Sequence, residues 1–364
     1  MGASVAIMAG GTGGHVFPAL AVAERLREQG VGVFWIGTRR GMESRLVPEH
    51  GLEMEWIRIE GLRGKGIAQI LGAPFKIAVA FRQASRILRR RRPAVVLGMG
   101  GFASGPGGLA ARVLGLPLVI HEQNFVPGMT NQWLARIATR VFEAFPGSFP
   151  NARGAQACGN PVRRAIVDLP TPRERLVRRQ AEGSVEPARL LILGGSLGAQ
   201  VLNEMVPAAL AALPAERRPR VRHQAGERTL DTARAAYRAA GVEAEVTPFI
   251  ADMAEAYGWA DLVVCRAGAL TVSELAAAGV ASVLVPYPFA VDDHQVGNAR
   301  YLADAGAARL VIQRDLTIPG LTTLLEELLG DRAALLAMGE AARLRARSDA
   351  ADRIADVCLE LARR

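Results

Sequence analysis

The sequence is poor in aromatic residues: Trp, Tyr and Phe supply only 5% of 364 residues, while half of the chain is apolar. Its cores must therefore be built from Ala, Val, Leu and Ile, a composition that suits parallel sheets covered by helices. Cysteine is scarce as well. Cys158, Cys265 and Cys358 lie far apart and form no metal-like spacing, so they read as reduced, cytosolic thiols. No uninterrupted apolar run reaches the length needed to span a bilayer. The start passes almost directly into Val5-Ala6-Ile7-Met8 without a basic region and a long apolar core, so no signal peptide is expected. Lysine is nearly absent, with only Lys65 and Lys76, yet the formal charge is +9. That excess, almost all arginine, calls for an acidic partner: nucleic acid, anionic lipid or a phosphorylated substrate.

The length exceeds one ordinary domain and predicts two, each large enough for its own core. The most informative stretch runs from Val263 to Asn298. An apolar run over Leu262 to Cys265 predicts a strand, Arg266-Ala267-Gly268 a turn, and a small-residue pattern a helix with Thr271, Ser273 and Glu274 in its first turn. The unpartnered N–H groups of such a helix start suit an anion or a sugar oxygen. Glu274 either caps its own helix, which spacing alone favours, or accepts hydrogen bonds from a ligand's hydroxyl pair. A second strand, Ala281 to Val285, ends at Pro286-Tyr287-Pro288, and Asp292, His294, Gln295 and Asn298 crowd the loop beyond it. Both loops leave the ends of neighbouring strands, where open α/β sheets bind ligands.

The same grammar recurs along the chain. Ser4 to Ala9 predicts a strand that breaks into Gly10-Gly11-Thr12-Gly13-Gly14-His15, with a helix from Phe17 to Gln29. This glycine loop fails the dinucleotide fingerprint, because Val16 stands where a Gly or Ala is needed. The next strand, Val31 to Ile36, ends in Gly37-Thr38-Arg39 rather than in an acidic ribose ligand, which argues against NAD. His15 either closes a turn or serves as a general base at the mouth of the sheet. From Arg58 to Arg92, apolar residues alternate with Lys76, Arg82 and Arg86 and end in four consecutive arginines. That segment fits either an anionic lipid surface or an ordinary helix with a solvated basic end. Nucleic acid fits less well, since no recognised binding module accompanies the charge. Ala94 to Leu97 predicts a strand followed by a glycine-rich run to Gly108, which implies something bulky against the backbone. Leu118 to Ile120 leads into His121-Glu122-Gln123-Asn124, four polar residues that packing does not explain. Val141 to Phe145 and Ala155 to Cys158 close the first domain, and Gly159-Asn160-Pro161-Val162-Arg163 is its exit. Arg189 to Leu193 then opens a second sheet with a matching loop, Gly194-Gly195-Ser196-Leu197-Gly198-Ala199.

These motifs occur in order: G-G-T-G-G-H at Gly10, G-G-F-A-S-G-P-G-G at Gly100, H-E-Q-N at His121, G-N-P-V-R at Gly159, G-G-S-L-G-A at Gly194 and R-A-G-A-L-T-V-S-E at Arg266. Together they closely resemble the bacterial cell-wall glycosyltransferases of the MurG family. The resemblance implies the GT-B fold, two Rossmann-like α/β domains with parallel sheets facing across a cleft. It places an acceptor-binding, membrane-associating domain at 1–160, a donor-binding domain at 161–344, and a terminal helix, about 345–364, packed back on the first domain. It implies transfer of N-acetylglucosamine, with inversion, from UDP-N-acetylglucosamine to the C4 hydroxyl of undecaprenyl-pyrophosphoryl-N-acetylmuramyl-pentapeptide, turning lipid I into lipid II in peptidoglycan synthesis.

Position by position, the resemblance implies that the backbone of Ile250 meets the uracil and Glu274 the ribose hydroxyls. Ser196 and Arg163 would meet the diphosphate, and Ala269, Leu270, Thr271, Val272, Ser273 and Gln295 would line the sugar region. Thr12, Gly13, Gly14 and Asn124 would reach in from the first domain. For the base, His15 is the first choice and Glu122 the second, because a histidine titrates near neutrality whereas a carboxyl needs burial to do so. No Asp-x-Asp is present, so no cofactor or metal is expected, and the helix start after Ser196 with Arg163 would do the electrostatic work. The implied partners are the donor, lipid I, an anionic membrane surface met through Ile70, Leu71, Phe75, Lys76, Val79 and Arg82, and other proteins of cell-wall synthesis and division. The location implied is the cytoplasmic face of the inner membrane. Two departures stand out: Phe102 where some relatives carry tyrosine, and His294 before Gln295 where a Gln-Gln pair also occurs. A related enzyme with another lipid acceptor, a UDP-N-acetylglucosamine 2-epimerase and a non-catalytic nucleotide-sugar-binding subunit remain the alternatives.

Overall fold

The computed structural model describes residues 4–59, 73–149, 154–181, 187–195, 198–290 and 293–363. Of the expected site residues, Ile70, Leu71 and Ser196 lie outside these ranges, as does Asp292. The chain divides into two compact units, Met1–Arg163 with Arg347–Arg364, and Arg164–Ala346.

The first unit is a seven-stranded parallel sheet. Its strands are β1 (Ser4–Met8), β2 (Gly32–Gly37), β3 (Glu53–Trp56), β4 (Val95–Gly98), β5 (Leu118–Glu122), β6 (Arg140–Glu143) and β7 (Gln156–Ala157), in the order 3-2-1-4-5-6-7. The core strands are continuous apolar runs because helices cover both faces. β1 lies inside the sheet, with Val5 in register with Val33 on one side and Val95 on the other. The second unit repeats the plan with β8 (Arg189–Leu193), β9 (Arg220–Gln224), β10 (Glu245–Thr247), β11 (Leu262–Cys265), β12 (Ala281–Leu284) and β13 (Ala308–Leu310), in the order 10-9-8-11-12-13. Each sheet reverses its winding once, between β1 and β4 in the first and between β8 and β11 in the second. The loops that leave the carboxyl ends of those strands frame the crevice in which such sheets hold ligands.

Several elements differ from the sequence expectation. The first helix begins at Gly13, not Phe17, so both glycines of the loop's second half belong to its opening turn, behind Thr12 as N-cap. The helix after β4 begins inside the glycine-rich run, at Ser104, and takes in Gly105, Gly107 and Gly108. What presses on that glycine run is the protein itself: a Cβ on Gly107 would overlap Met8, and one on Gly108 would come within 2.8 Å of Leu134. Strand β3 and the helix Glu43–Glu49 were not foreseen. Glu53-Met54-Glu55-Trp56 sits at the sheet edge, half-exposed, and carries too few apolar residues to announce itself.

The helix Ala73–Arg91 packs Ala80, Ala84, Ile87 and Leu88 inward. Its basic end is partly structural: Arg90 pairs with Glu55 at 2.6 Å, Arg91 pairs with Glu55 at 3.0 Å and with Glu53, and the Arg91 guanidinium lies over the Phe34 ring. The last helix, Ala350–Ala362, belongs to the first unit. Ile354, Ala355, Cys358 and Leu361 join the core made by Val5, Ile7, Ala19, Val22 and Leu26. At its rim Arg25 reaches Asp352 at 3.0 Å.

Candidate active site

In the first unit the glycine loop after β1 is held from behind by a carboxylate. Glu43 is fully buried; its Oε2 accepts the Gly11 N–H at 3.0 Å, and its Oε1 accepts the Thr38 N–H at 3.0 Å and the Thr38 hydroxyl at 2.7 Å. Cβ atoms on Gly10 and Gly41 would run into this carboxylate. The acidic group missing at the end of β2 thus arrives a few residues later, and it grips the loop's backbone. Sequence reasoning missed Glu43. Its signal was an acid two residues after Gly41 and five after Thr38, at the end of the loop that leaves β2.

The second loop of this crevice, Met99 to Phe102, comes against the first. At Gly101, with φ +82°, a Cβ would overlap the carbonyl of Gly10, so only glycine allows the two loops to touch. His15 stands in the first turn of its helix, half-buried, with Nδ1 2.9 Å from Gln123 Oε1. Gln123 Nε2 reaches the Met99 carbonyl at 3.0 Å and His121 Nδ1 at 3.1 Å, while His121 Nε2 lies 2.9 Å from the Gly159 carbonyl. His121 is fully buried, and burial pushes its pKa down to about 4.

Glu122 is also buried, but its surroundings differ from those of a proton acceptor. Its Oε1 accepts the Asn124 N–H at 2.9 Å and Asn124 Nδ2 at 3.1 Å; its Oε2 accepts the Gly128 N–H at 3.1 Å and Asn131 Nδ2 at 2.9 Å. Four donors occupy the carboxylate. Of the H-E-Q-N residues, Asn124 is half-exposed and the other three are buried. Arg163 ends this unit, its guanidinium 5.0 Å from the centre of the Phe17 ring on the helix after the glycine loop, close behind Thr12, Gly13 and Gly14.

In the second unit the helix after β11 begins at Ala269, with Gly268 as its N-cap and no side-chain cap. Glu274 therefore sits in the second turn, too far along to cap, which corrects the reading that spacing favours. It is buried and accepts the Tyr257 hydroxyl at 3.1 Å. Val272 and Ala269 are buried in the apolar interior, so only their backbones can meet a ligand. Leu270, Thr271 and Ser273 are half-buried, and the Ser273 hydroxyl donates to the Ala269 carbonyl at 3.0 Å. Asn298 ties the two loops together through Nδ2 to the Ala267 carbonyl at 3.2 Å, while Gln295 Oε1 accepts the Tyr287 N–H at 2.9 Å. Arg266 donates to the Val285 and Pro286 carbonyls and lies against the Tyr287 ring, and burial lowers its pKa. Ile250 is half-buried in the loop after β10. Among the described residues no group of three His, Cys, Asp or Glu side chains is placed to hold a metal ion.

Two Rossmann-order sheets in one chain, each with glycine loops at its switch point, define a protein of the GT-B class. Residues 5–143 match the glycosyltransferase family 28 N-terminal domain, and residues 189–354 match the glycosyltransferase family 28 C-terminal domain. The chain is 57% identical, over 100% of its length and 99% of the relative's, to the UDP-N-acetylglucosamine–N-acetylmuramyl-(pentapeptide) pyrophosphoryl-undecaprenol N-acetylglucosamine transferase of Nitrosococcus oceani. It is 54% identical to the protein of the same name from Methylococcus capsulatus, over 99% of both chains. Among solved structures it superposes on Acinetobacter baumannii MurG with a TM-score of 0.82 at 44% identity, covering 98% of this chain and 99% of that one. A UDP-GlcNAc 2-epimerase from Neisseria meningitidis, at 12% identity and a TM-score of 0.67, shares the fold alone. The chain belongs to the MurG family of glycosyltransferases.

Proposed function

We propose that this chain transfers N-acetylglucosamine from UDP-N-acetylglucosamine to the C4 hydroxyl of undecaprenyl-pyrophosphoryl-N-acetylmuramyl-pentapeptide. The observation that carries this reading is the 57% identity, from end to end of both chains, to an enzyme named for that transfer. The acceptor oxygen attacks the anomeric carbon opposite UDP; the bond to the diphosphate oxygen breaks and its electron pair leaves with UDP. One side chain must take the hydroxyl proton, and others must stabilise the charge growing on the diphosphate.

His15 is the base in this reading. It is half-buried at the crevice of the first sheet, whereas the four donors around Glu122 leave its carboxylate no free lone pair. Glu122 instead shapes the loop that presents Asn124. In the second unit Glu274 is assigned to the ribose and the Ile250 backbone to the uracil. The helix start behind Gly268, with Ala269, Leu270, Thr271, Val272 and Ser273, serves the sugar side together with Gln295. Arg163 and the Ser196 loop are assigned to the diphosphate, and no cofactor or metal enters the scheme. Removal of one such charge-stabilising donor costs about 10²- to 10³-fold in rate.

The acceptor is a lipid, so the first unit is assigned to the cytoplasmic face of the inner membrane. On the helix Ala73–Arg91, Phe75 is 75% exposed, Lys76 and Arg82 are exposed and Val79 is half-buried. Apolar and cationic groups on one helix suit an anionic leaflet. No described helix is long and apolar enough to cross a membrane. The deciding assay follows radiolabelled N-acetylglucosamine from its UDP donor to lipid-linked muramyl-pentapeptide, with chelator present. Robust transfer is expected from the wild type, with a loss of about 10²- to 10⁴-fold in kcat for His15→Ala at unchanged donor affinity. Tight UDP binding without transfer to any lipid acceptor would point instead to a binding subunit.

A further inference from the structure

The hydrogen bonds that run from Gly159 to His15 have only one consistent direction. The Gly159 carbonyl can only accept, so the proton of His121 sits on Nε2, 2.9 Å away, and Nδ1 keeps its lone pair. His121 stays neutral at physiological pH, its burial having pushed the pKa down to about 4. One end of the Gln123 amide faces two acceptors, the Met99 carbonyl at 3.0 Å and His121 Nδ1 at 3.1 Å, and must therefore be the NH₂ end. Its oxygen is thereby turned toward His15, where it can only accept a proton from Nδ1 at 2.9 Å.

We infer that Gln123 and His121 are positioning residues that hold His15 in its Nδ1–H tautomer, leaving Nε2 bare as the atom that takes the acceptor's proton. The inference rests on the reading of His15 as base. Free histidine prefers the other tautomer, with Nε2 protonated and useless as a base. Here that tautomer would set two lone pairs, on His15 Nδ1 and Gln123 Oε1, against each other at 2.9 Å. Gly100 lies against the Nδ1–Cε1 edge of the ring. At φ +90° its Cβ would stand 2.7 Å from His15 Nδ1, 2.8 Å from Cε1 and 3.3 Å from Gln123 Oε1, a wedge driven into the His15–Gln123 hydrogen bond. As the acceptor oxygen bonds to the anomeric carbon, its proton passes to Nε2 and the ring becomes an imidazolium whose Nδ1–H still donates to Gln123. No hydrogen bond is remade during the step. A neutral amide orients the ring without adding a charge beside it, which separates this arrangement from the carboxylate-oriented histidine of a Ser-His-Asp triad.

The test is ¹⁵N-labelled histidine in the full-length protein, which has five histidines, with two-bond ¹H–¹⁵N correlations that tell the tautomers apart and His15→Ala to assign the signal. The wild type is expected to show His15 with Nδ1–H. Gln123→Met, similar in length but without a polar end, is expected to switch the tautomer and lower kcat by about 10²-fold or more while donor KM stays put. Gln123→Glu, which still accepts from Nδ1, is expected to keep the tautomer. A proton on Nε2 in the wild type, or an unchanged tautomer in Gln123→Met, would overturn the inference. A switched tautomer with undiminished kcat would overturn the role of Nε2. A wild-type protein with the Nδ1–H tautomer but no transfer activity would overturn only the proposed reaction.

Discussion

A carboxylate with all its lone pairs engaged is a fixture of the backbone around it, and Glu122 is one. In Glu122→Gln an NH₂ group faces two of the four donors, so the loop from Asn124 to Asn131 loses bonds and gains a clash of protons. The variant is expected to lose about 1–3 kcal/mol in urea unfolding. Its residual kcat in the folded fraction should exceed that of His15→Ala. His121 is one source of pH dependence. Its pKa falls from the ordinary 6.5 to about 4 on folding, so the unfolded chain binds the extra proton between those values. The stabilisation is fully present above pH 6.5 and is lost as pH drops toward 4, amounting to roughly 3 kcal/mol. Urea midpoints between pH 7 and 4 should fall, and His121→Asn should lessen that fall, a further part coming from His223, whose burial pushes its pKa down to about 3. The H-E-Q-N run announced itself in the sequence because four polar residues follow a buried strand. Its division of labour did not, since the bonds to Gly128, Asn131, Met99 and Gly159 depend on how the loops fold back and leave no periodic pattern in the sequence.

At the scale of elements, the strand, glycine loop and helix units were legible wherever apolar runs met glycine. Their boundaries were not, because a glycine that opens a loop and one that lets a helix lie close to a sheet look alike in sequence. Gly107 is of the second kind, and Gly107→Val should cost well over 1–3 kcal/mol by forcing the helix Ser104–Val113 off Met8. Thermal unfolding would register it. The edge strand β3 escaped notice for a different reason: Met54 and Trp56 are its only apolar residues, and the other two, Glu53 and Glu55, pair with Arg90 and Arg91 of the helix Ala73–Arg91. Those two arginines are thus committed to the fold. Under the proposed membrane attachment, attraction falls to the exposed Lys76 and Arg82, and Lys76→Glu with Arg82→Glu should weaken binding to phosphatidylserine-containing vesicles by at least 10-fold, given about 1 kcal/mol for each charge removed. Activity on a detergent-dispersed acceptor should hardly change, which separates surface attachment from chemistry.

At the scale of the whole molecule, two domains were readable from length and from the repeat of the β1 and β8 loops. The sequence also suggested the return of the terminal helix. What it could not display is how deeply that helix is used: Ile354 and Cys358 are completely buried in the core of the first unit, and burial pushes the Cys358 thiol up to about 12. Ile354→Ala is expected to cost 2–5 kcal/mol and to lower the unfolding transition of the first unit, leaving that of the second in place, as hydrogen exchange would resolve.

Because the last helix completes the first unit, the ribosome cannot finish that domain in the order in which it is made. After Arg163 about two hundred more residues must be synthesised before Leu361 is even added, roughly 10–40 s at ordinary elongation rates. During that interval the apolar flank of the first helix, Ala19, Val22 and Leu26, waits without its partner. The second unit, continuous from Arg164 to Ala346, is free to fold first. The first unit is therefore the part of the nascent chain that stays open longest to chaperones and proteases, and a chain cut after Ala346 should keep a folded second unit beside an unfinished first one.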